Sequence, residues 1–269
     1  MKHSIQIGQV PRRWTTLPKR LTQGILGVGK QSPNFTLQIS DNELRRTGHI
    51  STNQKKVVRV REELRSIKRQ LIARLREGTA QNPRNPRVIL VSSALPGEGK
   101  TFVALNLALS LALERNLEVT LIDGDVSSRG LSQRLGLLNS AGLLDALDSE
   151  SPDLSGLAQD TNLTNFLVIP AGRARPDATE LLGSKGMANL VESITSESPN
   201  RVIILDSGSL LNENAPAVLA AYAGQIVFVI GANETSRLQI NEALSVLDGH
   251  VGPLESANLG LVLNMTYAA

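Results

Sequence analysis

The sequence predicts an α/β fold, a mostly parallel twisted sheet with helices on both faces, preceded by a basic N-terminal arm and a helix. Three observations predict it. Short apolar runs recur along the chain: "RVILVSS", "EVTLIDGD", "FLVIP", "RVIILDS", "QIVFVIG" and "LGLVLN". Helix-length stretches separate them, near residues 99–115, 130–148, 179–197, 213–223 and 235–248. The runs are continuously apolar rather than alternating, as strands covered on both faces must be, and strands separated by helices form parallel sheets.

The arm comes first. Residues 1–55 mix Pro, Gly, Thr, Gln and basic residues without periodicity, and are expected to be largely irregular. Residues 1–85 carry 18 Lys/Arg against 5 Asp/Glu, a balance of +13, whereas residues 86–269 carry 10 against 20, a balance of −10. A basic arm of this kind docks on an acidic protein surface, anionic lipid or nucleic acid, or is simply a solvated leader. The lone Trp14 either anchors it or covers a small apolar patch. Residues 56–269 are expected to form one domain. It opens with a helix over 57–76, where Val57, Val60, Leu64, Ile67, Leu71 and Leu75 step by three or four residues along one face. "EGTAQNPRNPR" ends that helix.

The first strand runs into Ala94-Leu95-Pro96-Gly97-Glu98-Gly99-Lys100-Thr101, followed by a helix that is apolar nearly all round. This is the phosphate-loop pattern, with Ala94 in place of its first glycine, in the strand–loop–helix context that it requires. Small residues let the loop from Pro96 through Gly97, Glu98, Gly99, Lys100 and Thr101 to Phe102 curl its backbone N–H groups round phosphates, and the helix N-terminus adds its positive end. Lys100 reaches the β- and γ-phosphates and the Thr101 hydroxyl is placed to ligand Mg2+. ATP and Mg2+ are therefore the expected ligands. The second strand delivers Asp123 and Asp125 and a later one Asp206, all at strand C-terminal ends, where open α/β sheets bind ligands. Asp125 and Asp206 read as acids of the metal shell. Helix capping is the structural alternative for each. Asn264, ending the last strand, reads as lying near the nucleotide base, with a cap on the strand end as its other reading.

Several classes are excluded or disfavoured. The chain has no cysteine, which removes disulfides and thiolate metal sites, and His3, His49 and His250 are scattered. No apolar run reaches the length of a membrane span and the N-terminus has no signal-like apolar region. No "HRD" or "DFG" triplet of a eukaryotic-type kinase occurs.

Together "SSALPGEGKT", "LIDGDVSSRGLSQRLGL" and "VIILDSGSLL" resemble the bacterial tyrosine autokinases of polysaccharide assembly, the P-loop ATPases of exopolysaccharide and capsule systems. The likeness extends through "VIPAGRARPDATELLGS", "VLAAYAGQIVFVIGANETS" and "LGLVLN", roughly residues 57–264, and its flavour is similar to the exosortase-associated branch. The resemblance implies a protein-tyrosine (auto)kinase or ATPase that regulates exopolysaccharide polymerisation and export. It implies Lys100, Asp123 and Asp125 as catalytic residues, with Asp123 the base for a tyrosine hydroxyl, and Thr101, Asp125 and Asp206 around the metal. It implies an oligomer, a ring, joined through Glu62, Arg65 and Lys68, a pattern that otherwise reads as charge pairs on a solvated helix face. The implied partners are a membrane-spanning polysaccharide co-polymerase on another chain and protein tyrosine substrates, and the implied location is the cytoplasmic face of the plasma membrane. Nucleic acid is not an expected partner.

The chain departs from the family pattern at three places. Arg129 stands later than the arginine that usually follows the second aspartate. Gly208-Ser209 replaces a Pro-Pro pair. The chain has two tyrosines, Tyr222 in an apolar helix end and Tyr267 near the C-terminus, so Tyr267 is the candidate phospho-acceptor in place of a tyrosine cluster. Two other functions share the same loop: a partition- or septum-type positioning ATPase, against which Leu95 stands where that family carries a signature lysine, and a non-enzymatic ATP-sensing subunit.

Overall fold

The central strands of the sheet are apolar and buried on both sides. In the computed structural model, which describes residues 37, 39, 54–76, 84–149, 156–252, 254 and 259–265, seven strands form one sheet. They are β1 (Val88–Ser93), β2 (Glu118–Asp123), β3 (Gln159–Asp160), β4 (Phe166–Ile169), β5 (Arg201–Ser209), β6 (Gln225–Gly231) and β7 (Leu259–Asn264), in spatial order β3-β4-β2-β5-β1-β6-β7. Every pairing is parallel except β3 with β4. Alternate residues of one strand serve opposite cores: Val88 and Leu90 of β1 face one side, Ile89 and Val91 the other, and Ile203/Leu205 against Val202/Ile204 do the same in β5.

The helices are α1 (Gln54–Arg76), α2 (Lys100–Ala112), α3 (Gly130–Arg134), α4 (Leu143–Leu147), α5 (Ala178–Leu182), α6 (Lys185–Ser196), α7 (Ala215–Ala220) and α8 (Arg237–Val251). Helix α2 is buried on all sides, with Leu105, Leu107, Leu109 and Leu111 inside, because α1 covers the flank that the sheet leaves open. Helix α1 contributes Leu64 and Leu71 to the interior. It is also tied to the sheet by Gln225, whose Nε2 donates to Leu71 O (3.3 Å) and Pro86 O (2.7 Å).

Three expectations change. The stretch 130–148 is two short helices rather than one, because Leu143 and Leu144 donate their N–H groups to Pro170 O and Ala171 O (2.9 and 3.0 Å) instead of to a preceding helical turn. The stretch 179–197 is also divided, since Ser184 starts a new helix by accepting from Met187 N. The arm, read as largely irregular, supplies two core residues: Leu37 and Ile39 are buried beside α2. They are held by Leu37 N to Asp160 O (2.8 Å) and by reciprocal bonds between Ile39 and Asn162. Trp14 lies outside the described residues.

Candidate functional site

Parallel strands send their C-terminal ends to one edge of the sheet, and there β1 turns into α2 through residues 94–99. Gly97 and Gly99 have φ of 87° and 92°, a region that side chains disfavour. Gly99 has a second reason to be glycine: a β-carbon there would stand 2.2 Å from Asn264 Nδ2. Gly99 caps α2 with no side chain, so the first-turn N–H groups are left facing the loop. Pro96 has no N–H, and its part in any cradle is to shape it.

Glu98 reads as a nucleotide contact through the loop backbone, and its side chain has a separate role. Its side chain, in a residue only 1% exposed, turns into the protein. Oε2 accepts from Leu95 N (2.6 Å), and Oε1 accepts from Gly231 N (2.8 Å) and from the Thr235 hydroxyl. Asn264 Nδ2 donates to Glu98 O (2.8 Å). The loop is thus braced from β6 and β7. Glu98 leaves only its backbone free to face a ligand, and the Asn264 amide is tied to the loop rather than capping its own strand. Lys100 is 8% exposed and, among the described residues, makes no ion pair. Phe102 packs partly against the core and its carbonyl accepts from Asn106 Nδ2 (2.8 Å).

The acids meet beside this loop. Asp123 and Asp206 are register partners on the adjacent strands β2 and β5. Asp123 is sealed in. Its Oδ2 accepts from Ser132 N (2.7 Å) and Ser132 Oγ (2.6 Å), and its Oδ1 from Asp125 N (3.2 Å). Burial pushes its carboxyl up to about 6; the Ser132 bonds oppose the rise and the Asp125 charge adds to it. Asp125 holds the next turn, its two oxygens accepting from Ser128 N (2.9 Å) and Ser128 Oγ (2.6 Å). Asp206 is the exception. It is fully buried, and among the described residues neither oxygen has a regular hydrogen-bond partner; the Thr101 hydroxyl alone approaches as a donor. Burial first, then the charge of Asp123, raises its carboxyl well above the carboxylate range. The nearby Thr101 hydroxyl and the Lys100 charge act the other way without reversing the rise.

A fourth acid joins them. The Glu213 carboxylate folds over Gly208, and Lys100 and Asp125 both act on it electrostatically. Sequence reasoning passed over Glu213 because it lies seven residues beyond Asp206, outside any motif. The one signal was the glycine at 208, which leaves room for it. Arg129 has a left-handed backbone, φ 50°, and its side chain reaches Leu138 O (3.5 Å).

The remaining predicted residues lie apart. Tyr222 is half-buried, and its hydroxyl donates to Leu182 O (2.8 Å), which suits a core residue. Tyr267 lies outside the described residues. On α1, Glu62 and Arg65 are exposed, but Lys68 is engaged inside the chain: its Nζ donates to Ser110 O (3.2 Å) and pairs with Glu114 (2.7 Å), both on the α2 side. No described helix is long and apolar enough to cross a membrane.

Among curated relatives, tyrosine-protein kinase CpsD of Streptococcus pneumoniae serotype 4 is 32% identical over 182 residues, 66% of this chain and 75% of that protein. The succinoglycan biosynthesis transport protein ExoP of Rhizobium meliloti is 33% identical over 184 residues, 67% of this chain but 22% of that protein, so the chain spans about a fifth of ExoP. Among solved structures, the BceF tyrosine kinase domain superposes with a TM-score of 0.61 at 27% identity, over 75% of this chain and 76% of that one. No family model matches the chain.

Proposed function

Because the chain belongs to the bacterial tyrosine-kinase family, we propose that it is an ATP-dependent protein-tyrosine kinase and ATPase acting in exopolysaccharide polymerisation and export. The observation that carries this reading is Asp206: a fully buried carboxylate with no regular hydrogen-bond partner among the described residues, approached only by the lysine and threonine of a phosphate loop. Buried polar groups are nearly always satisfied, so the carboxylate calls for a further partner beyond those that the described residues supply. A hydrated Mg2+ fits. Among the described residues no three His, Cys, Asp or Glu side chains converge to hold an ion alone, and Mg2+ in nucleotide sites characteristically keeps waters and takes phosphate oxygens alongside one or two carboxylates. Thr101, Asp125 and Asp206 would hold that ion, which when bound neutralises charge on the phosphates.

The chain's own residues do the rest. The N–H groups from Gly97 to Phe102 bind phosphate oxygens, with the α2 N-terminus behind them. Lys100, held among acids, orients towards the terminal phosphates. Ser132 fixes Asp123 so that its carboxylate faces the acid cluster at a pH near its own titration, which suits a proton acceptor for a tyrosine hydroxyl or a water. A tyrosine hydroxyl titrates near 10, so a base beside it aids its attack.

The acceptor is Tyr267 or a tyrosine of another protein, since the Tyr222 hydroxyl is occupied inside the fold. The proposed assembly is a ring through the exposed Glu62 and Arg65 face of α1, with Lys68 supporting α1 from within. The proposed partner is a membrane-spanning co-polymerase on another chain that recruits this domain to the membrane face. The relatives' names favour this reading over a partition-type ATPase. The test is to incubate the chain with ATP and Mg2+, with and without a co-polymerase cytoplasmic peptide, following phosphate release and phosphotyrosine by mass spectrometry. Lys100→Ala should abolish both, and undiminished hydrolysis would refute the site.

A further inference from the structure

Glu213 belongs to none of the three motifs, yet the chain folds it back among them. Beyond Asp206 the carbonyl of Ser209 accepts from both Asn212 N and Glu213 N, at 3.2 Å each, which closes a turn. Leu210 N and Leu211 N are bonded to Ser93 O and Ala94 O at 2.9 and 3.2 Å, so the turn is fixed to the start of the phosphate loop. The Glu213 carboxylate comes to rest over Gly208, where a β-carbon would stand 2.7 Å from each of its oxygens. A side chain at 208 would push the carboxylate out of that place. The Ser127 side chain hydrogen-bonds to the carboxylate and the Asp125 and Lys100 charges act on it, while among the described residues its buried Oε2 has no partner.

The four acids therefore fall into two kinds. Asp123 and Asp125 have both oxygens committed to neighbouring N–H and hydroxyl groups. Among the described residues, both oxygens of Asp206 and Oε2 of Glu213 are buried without a regular hydrogen-bond partner. Asp206 is fully buried. Both unsatisfied acids feel the same lysine. Gly208, under the Glu213 carboxylate, stands two residues beyond Asp206 on β5 and so on the same face of that strand, which places a polar group serving one acid beside the other.

We infer that Glu213 is a positioning residue for the magnesium–nucleotide complex, accepting hydrogen bonds from the water shell of the ion in concert with Asp206. The inference rests on the nucleotide-site reading above. Mg2+ dehydrates reluctantly, so an acid one water away orients the ion without ligating it, and such outer partners govern metal affinity. Gly208 is then the residue that admits Glu213, where a proline would have excluded it.

Fluorescence titrations of mant-ATP on the full chain separate ion from nucleotide. Glu213→Gln keeps the shape and removes the charge. The Mg2+ concentration at half-maximal response should rise about tenfold, the scale of an outer-shell loss, with mant-ATP binding in EDTA no weaker and the melting temperature unchanged. Gly208→Ala, which displaces the carboxylate, should shift Mg2+ half-saturation in the same direction. An unmoved Mg2+ half-saturation in Glu213→Gln overturns the inference. That holds whether mant-ATP binding in EDTA is unchanged or tighter, the latter making Glu213 a lock on Lys100. Asp206→Asn is the control: if it loses the Mg2+ response while Glu213→Gln keeps it, this inference alone falls. If neither variant alters the response, the reading of the site falls with it.

Discussion

Replacing Asp206 with asparagine should disable the protein and stabilise it. The carboxylate is fully buried, among the described residues its oxygens lack any regular partner, with only the Thr101 hydroxyl approaching, and Asp123 stands opposite on the neighbouring strand. An uncompensated buried charge destabilises a fold by about 3–5 kcal/mol. The asparagine amide, equally buried, still leaves polar atoms unsatisfied at about 1–3 kcal/mol. The net gain is therefore on the order of 2 kcal/mol, or roughly 4–8 °C in melting temperature for a chain of this size. The gain depends on pH in a definite direction. Burial raises the Asp206 carboxyl above its ordinary 3.8, so the folded state holds the proton more tightly than the unfolded chain. The stabilisation from that proton is complete below the unfolded value and is lost as pH rises through the folded value. Wild type should thus fall behind the variant as pH rises, and the difference should shrink towards acid. Thermal melts of both proteins in EDTA at pH 5 and pH 8, with mant-ATP binding in Mg2+, check this. A variant that melts at or below wild type at pH 8 would show that Asp206 already has its partner within the fold, and the argument for a bound ion would collapse.

The other predictions follow from neighbouring contacts. Gly99→Ala forces a β-carbon into the left-handed region and to 2.2 Å from Asn264 Nδ2; mant-ATP affinity should drop at least tenfold, and adding Asn264→Ala should not restore it, because the backbone strain of about 1–3 kcal/mol persists. Glu98→Ala strips acceptors from Leu95 N, Gly231 N and the Thr235 hydroxyl; at about 1–3 kcal/mol per stranded buried group, denaturant melts should show a loss of several kcal/mol, and a loss under 1 kcal/mol would remove the brace from the account. Ser132→Ala deletes the hydroxyl bond that holds the Asp123 carboxyl down at about 6, so the acid limb of the phosphate-release profile should move to higher pH, and an unmoved limb would exclude Asp123 as the base. Tyr222→Phe should cost about 1 kcal/mol through its bond to Leu182 O and leave phosphotyrosine unchanged, whereas Tyr267→Phe should remove any tail phosphorylation detected by mass spectrometry.

The sequence by itself determined the sheet and the phosphate loop. Strands buried on both faces must be apolar throughout, and runs such as "RVIILDS" display that directly. The loop needs glycines at positive φ followed by Lys100 and Thr101, and those requirements are written residue by residue. The tertiary structure decided what depends on neighbours distant in the chain. The helix breaks before Leu143 and at Ser184 depend on backbone donors finding Pro170, Ala171 and a serine cap, which periodicity does not register. Glu98 reads as a loop residue, yet Gly231 and Thr235, more than 130 residues away, turn its carboxylate inward. Lys68 sits in an apparent surface pattern, but its place on α1 over Ser110 and Glu114 draws it into the chain. Asp123, Asp125 and Asp206 look alike as strand-end acids; serines three and nine residues along satisfy the first two, and nothing satisfies the third. Local backbone demands leave their mark in adjacent residues. The partners that satisfy a buried charge come from wherever the fold brings them, and only the folded chain shows which charge is left over.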